Sequence, residues 1–280
     1  MRFVVSVVAL GSLGACAMGG HLDTQTDGRS GGDALGSGHP DAPSGQAATT
    51  PLLLSEVTLG PAGHEFIEIV NPTNQSVSLA SYYLADNGNY FKLPMGTPAI
   101  TSGDFIVKFP AGSMIAGHGV ATVALDTAAS FTTAFGVAPT YSVADGTLTT
   151  VVAMSPSLTD TGEVVVLFQW DGVSPLVKDV DIMLAGIPTT GNSLVSKSNL
   201  TQGAGTYHAD AMSIPMQASA PAAGKSTKRI ALESGHETQA GNGNGIDGDD
   251  ETSEVTTTTW DTTTTFSAPT PGSVPPALLQ

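Results

Sequence analysis

Apolar residues begin to alternate with turn residues at position 52. LLLSEV (52–57) and EFIEIV (65–70) are short runs of Leu, Ile, Val and Phe, separated by a Gly-Pro pair. Runs of this length and composition, bounded by turn residues, predict strands. Asn71-Pro72-Thr73-Asn74 follows as a turn: proline presets φ, and asparagine side chains bond nearby backbone. Further apolar runs at 105–109, 119–125, 147–154, 163–170 and 177–183 predict more strands, with Asp171-Gly172 as a hairpin signal between the last two. One stretch has a helical period. At 127–135 Phe131 and Phe135 stand four apart, with Asp126 placed to cap the start and Gly136 the end. Turn signals recur at the spacing of a β-sandwich, so the pattern predicts an all-β domain with one short helix.

The amino terminus has a different pattern. In MRFVVSVVALGSLGAC, Arg2 precedes an apolar run at 3–13, too short to cross a membrane and laid out as a signal peptide. Leu13-Gly14-Ala15-Cys16 then resembles a bacterial lipobox. The resemblance implies that residues 1–15 are cleaved and that the thiol of Cys16 receives a diacylglycerol. An ordinary secretory signal is the alternative. Residues 16–50 are rich in Gly, Ser, Asp and Ala and nearly free of bulky apolar side chains, so they predict a flexible tether. Ala17, rather than Asp, after the cysteine matches the outer-membrane sorting pattern if the host is Gram-negative.

From Ser55, SEVTLGPAGHEFIEIVNPTNQSVSLASYYLAD resembles the opening of a bacterial lamin-tail domain. FPAGSMIAGHGVATVALDTAASFTTAFGVAP resembles that family's middle, and DTGEVVVLFQWDG its late hairpin. STKRI, TTTTWD and SAPTPGSVP resemble its closing signature. The resemblance runs over 51–275 and implies an immunoglobulin-like β-sandwich. It leaves 186–224 without a counterpart, and those residues are expected to form an irregular insertion.

Charge removes some functions. The net charge is -16, with only nine Lys and Arg, so the chain is not expected to bind nucleic acid. The only cysteine is Cys16, so an internal disulfide is impossible. Among candidate catalytic groups, Glu65 and Glu68 lie three apart on a strand and point to opposite faces, which argues against an acid/base pair. No HExxH, GxSxG or P-loop spacing occurs. The acidic run GNGNGIDGDDETSE reads most plainly as a solvated loop. Its alternative is a calcium site built from Asp247, Asp249 and Glu251, although the run lacks the EF-hand glycine and terminal glutamate.

These readings converge on a non-enzymatic envelope lipoprotein. It would be held to the membrane by its lipid and would display a β-sandwich to a protein or glycan partner. A calcium-assisted adhesin or glycan-binding protein is the alternative. An accessory to, or remnant of, a secreted hydrolase is a second.

Overall fold

The computed structural model describes residues 52–186, 195–211, 220–233, 235–238, 243–261 and 267–280. The signal peptide, Cys16 and the tether lie outside the described residues. In chain order the strands are β1 Leu53–Thr58, β2 Phe66–Val70, β3 Val77–Ser78, β4 Tyr82–Ala85, β5 Phe105–Lys108, β6 Met114–Ile115 and β7 Val120–Ala124. They continue with β8 Tyr141–Ser142, β9 Thr149–Ala153, β10 Gly162–Gln169, β11 Lys178–Gly186, β12 Thr201–Gln202, β13 Gly205–Thr206 and β14 Thr227–Lys228.

Two five-stranded sheets face each other, in the order β14-β1-β2-β7-β8 and β11-β10-β4-β5-β9. Leu54, Ile67, Ile69 and Val123 from the first sheet meet Leu84, Phe105, Val107, Val165 and Leu167 from the second. The result is the all-β sandwich that the strand pattern predicted, with the immunoglobulin-like architecture that the lamin-tail resemblance implied. Asn71 anchors the turn after β2. Its amide donates to the carbonyls of Gln75, Ile115 and Ala116, and its Oδ1 accepts from the Thr73 amide and hydroxyl.

The outer faces depart from simple alternation, because both sheets are covered on both sides. Every residue of β2 is buried. Outside the first sheet, Phe66 meets Phe131 of the helix α1 Ala128–Phe135 edge-on at 5.6 Å, while Leu53 and Val70 pack on Leu278. Outside the second sheet, Phe168 and Val166 lie beneath Tyr90 and Phe91 and beneath Val195 and Tyr207.

One local expectation changes. Thr127, not Asp126, caps α1, its side chain accepting from the Ser130 amide; Asp126 instead accepts from the Thr127 amide. YFKLP forms a 3-10 turn at Tyr90–Met95. The first threonine run, compatible with a strand by propensity, is a helical turn, α2 Thr256–Thr259. There the Thr258 hydroxyl donates to the Val255 carbonyl at 2.8 Å. The second threonine run, within 262–266, lies outside the described residues. Of the expected insertion, residues 195–211 carry the β12–β13 hairpin.

Candidate functional site

Glu65 and Glu68 diverge as strand alternation requires, and the two-sided covering buries both. Glu65 accepts from the Leu158 amide at 3.0 Å. Glu68 lies opposite Glu56 across β1–β2 and opposite Thr122 across β2–β7. Ser55, Thr122 and the Gly272 amide donate to its two oxygens. Burial pushes the Glu68 carboxyl up to about 7, with the Glu56 charge adding to the rise. Glu56 receives the Ser226 hydroxyl and both the amide and hydroxyl of Thr270. This Glu56–Glu68 pair was not singled out from the sequence. The signal was the antiparallel register of SEV against FIEI. Its oxygens hold the closing segment 267–272 across the sheet instead of facing a cleft.

A second cluster centres on Arg229, fully buried in the segment after β14. Its Nε donates to the Leu54 carbonyl at 2.8 Å. Its Nη2 donates to both oxygens of Asp181 at 2.8 Å, and its Nη1 to Glu254 at 2.5 Å. Glu233 stands at 3.4 Å, and the Trp260 ring centroid is 4.9 Å from the guanidinium carbon. Asp181, Glu233 and Glu254 lie close enough to share a cation, and the guanidinium is that cation. Burial raises Asp181 to about 6 against the pull of Arg229. Glu233 rises well above the carboxylate range, from burial first and then from the charge of Asp181.

The third cluster is built by the insertion. Lys197 Nζ pairs with Asp179 at 2.8 Å and Asp210 at 2.7 Å, over the rings of Tyr90 and Phe91. The Tyr90 hydroxyl donates to the other oxygen of Asp179. Lys197 remains charged although it is buried, because two carboxylates offset the desolvation that would otherwise lower it.

The acidic run docks beside this cluster. Asp179 and Gly245 form a parallel bridge, and the Ile246 amide donates to the Asp179 carbonyl. Asp247 Oδ1, Glu251 Oε1 and the main-chain carbonyl of Asp249 converge on the space beside Gly245. The Asp250 carboxylate is engaged in the fold, accepting from the Thr252 amide and hydroxyl and from the Ala211 amide. The described histidines go to separate places: His64 against Phe135, His118 to the Gln280 carbonyl, His208 to Asn244 and His236 to Thr258.

An open cleft of about 520 Å³ runs from the β10–β11 turn to this loop. Trp170, Pro175, Leu176, Tyr207, His208 and Asn244 line it. The Trp170 indole N–H donates to the Ser174 carbonyl, which fixes the ring at the rim. Val173, at the hairpin tip, is 85% exposed. An aromatic rim, an apolar wall and a few backbone polar groups suit binding of a ligand.

A family model described as the lamin tail domain matches residues 45–180. A solved structure of a DUF4876 family protein from Bacteroides thetaiotaomicron is similar at 14% identity with a TM-score of 0.42. The match covers 81% of this chain and 75% of that one. No curated protein matches the chain.

Proposed function

We propose that this chain, whose residues 45–180 match the lamin tail domain family, is a lipid-anchored cell-envelope protein that displays its β-sandwich as a non-catalytic binding module. The anchor is Cys16 and the spacer is the tether that follows it. What carries the non-catalytic half is the placement of the buried acids. Glu56 and Glu68 fasten the closing segment, Asp181 and Glu254 hold Arg229, and Asp179 holds Lys197. Carboxylates committed to backbone amides and buried cations do not converge on a substrate, as an acid/base pair must.

The face presented to a partner is the Trp170 cleft, where loops meet at one end of the sandwich. A glycan or an extended peptide segment is the partner class that fits an aromatic rim of this size. The two tryptophans allow a direct test. Trp260 is sealed in the core, whereas Trp170 lines the cleft. Titration of the protein with an oligosaccharide and peptide panel is expected to give a saturable change in tryptophan emission that Trp170→Phe removes and Trp260→Phe keeps. Saturable binding that survives Trp170→Ala unchanged would place the binding face elsewhere.

A further inference from the structure

We infer that the loop 245–251 is a calcium site, with Asp247, the main-chain carbonyl of Asp249, and Glu251, whose oxygens group beside Gly245, as its protein ligands. Three observations on the molecule carry this. The first is convergence. Glu251 Oε1, Asp247 Oδ1 and the Asp249 carbonyl oxygen lie 2.7, 2.9 and 2.9 Å from the single point that a side-chain carbon on residue 245 would occupy. Three oxygens grouped so closely leave no room for any side chain there, so glycine is required. Being within 2.9 Å of one point, they lie no more than 5.8 Å from one another.

The second observation is an orphaned acid. Glu251 is 3% exposed, and its Oε1, the atom aimed at that point, has no hydrogen-bond partner among the described residues. A buried carboxylate left without a donor is costly. The charged groups that act most strongly on it are Asp181, Asp247, Asp179 and Glu254, all acids, so nothing among them relieves it. The third is the engagement of the nearby cations. Arg229 is held by Asp181, Glu233 and Glu254, and Lys197 by Asp179 and Asp210.

The donor set selects the ion. Two carboxylates and a carbonyl are hard oxygen ligands, with no imidazole or thiolate among them, which disfavours zinc and copper. Calcium accepts irregular loops and completes its shell of six to eight oxygens with water, whereas magnesium demands near-ideal octahedral geometry. The loop itself is shaped for this. The Gly245 amide donates to the Asp249 carbonyl, and the Asp249 amide donates to Asp247 Oδ1, which turns the oxygens inward. Bound calcium would neutralise Glu251 and lock the loop onto Asp179 of β11. The site is separate from the anchor and adjoins the cleft through Gly245, and its failure leaves both readings as they stand.

A buried acid can be relieved by a proton as well as by a cation, and the test separates the two. The full chain, stripped with chelator, is titrated with calcium chloride up to millimolar concentration. Heat release and melting temperature are followed, with sodium chloride of matched ionic strength as the control. The expected result is saturable binding of one ion and a melting temperature that climbs with calcium concentration. Glu251→Gln mimics the protonated acid, so it should fold without calcium but lose the thermal shift and at least tenfold in affinity. Asp247→Asn should do the same, and serves if Glu251→Gln fails to fold. Asp160→Asn, an exposed acid outside the loop, should keep the full shift. A melting temperature that rises no more than in the salt control would overturn the site, as would a calcium shift that both loop variants retain.

Discussion

Arg229→Ala is expected to lower the stability of the domain by about 3–5 kcal/mol, the cost of breaking a buried ion cluster by removing one partner. The variant strands Asp181, Glu233 and Glu254 beside one another and orphans the Leu54 carbonyl. It also opens space against Trp260, whose ring packs over the guanidinium. A domain of this size has roughly 5–15 kcal/mol in total, so the loss is a large share of it. Arg229→Lys should recover little, because one ammonium cannot reach Leu54, both oxygens of Asp181 and Glu254 in the forked geometry of guanidinium. Denaturant unfolding measures both variants. A loss below about 1 kcal/mol for Arg229→Ala would place the cluster among exposed ion pairs, which contribute little.

The second large effect is an inverted pH dependence. Burial raises Glu68 and Glu163 from an ordinary 4.5 to about 7 in the folded protein. Between those values the folded chain holds protons that the unfolded chain has released, so stability falls as pH rises. Melting temperature, measured without added calcium, is therefore expected to be higher at pH 5 than at pH 8. Many proteins lose stability toward acid because their paired carboxylates have lowered values; here Glu68 and Glu163 are raised. Glu68→Gln and Glu163→Gln should each flatten the profile, since an amide does not ionise. A melting temperature that climbs steadily from pH 5 to pH 8 would show that these acids stay ionised in the fold.

The parts of this architecture legible in the sequence are those specified by neighbours. Strand alternation and the Asn71-Pro72 turn located β1 and β2, and the Phe131–Phe135 spacing located α1. The faces of the sheets were not legible, because what covers them comes from far along the chain. Leu278 covers Leu53 and Val70, and Tyr207 reaches Phe91 through a hydroxyl-to-carbonyl bond. The same distance hid the ion clusters. Arg229 stood in the STKRI signature, but its partner Asp181 lies 48 residues away on β11. Lys197 sits in a segment with no periodicity, and only its burial between Asp179 and Asp210 gives it a role. The acidic loop was half legible. The spacing of its acids named Asp247, Asp249 and Glu251 together, all by their side chains. In the fold it is the Asp249 carbonyl that turns inward, because the Gly245 amide holds it.

The same contacts explain why residues beyond 180 matter to a domain whose family match ends there. β14, Arg229, Trp260 and the 267–272 segment close the sheet edge and the sandwich interior that the matched region leaves open. Such closure protects the sheet, because a paired and covered edge is less prone to unwanted strand addition.

The proposed display of this sandwich on the cell envelope, by a lipid on Cys16, is tested most directly by fractionation of cells expressing the full chain. The wild-type protein should sediment with membranes and partition into detergent, because several acyl chains on one residue anchor firmly. Cys16→Ala should move the bulk of the protein into the soluble fraction with its melting temperature unchanged. A Cys16→Ala protein that remains with the membranes to the same extent as wild type would contradict the account.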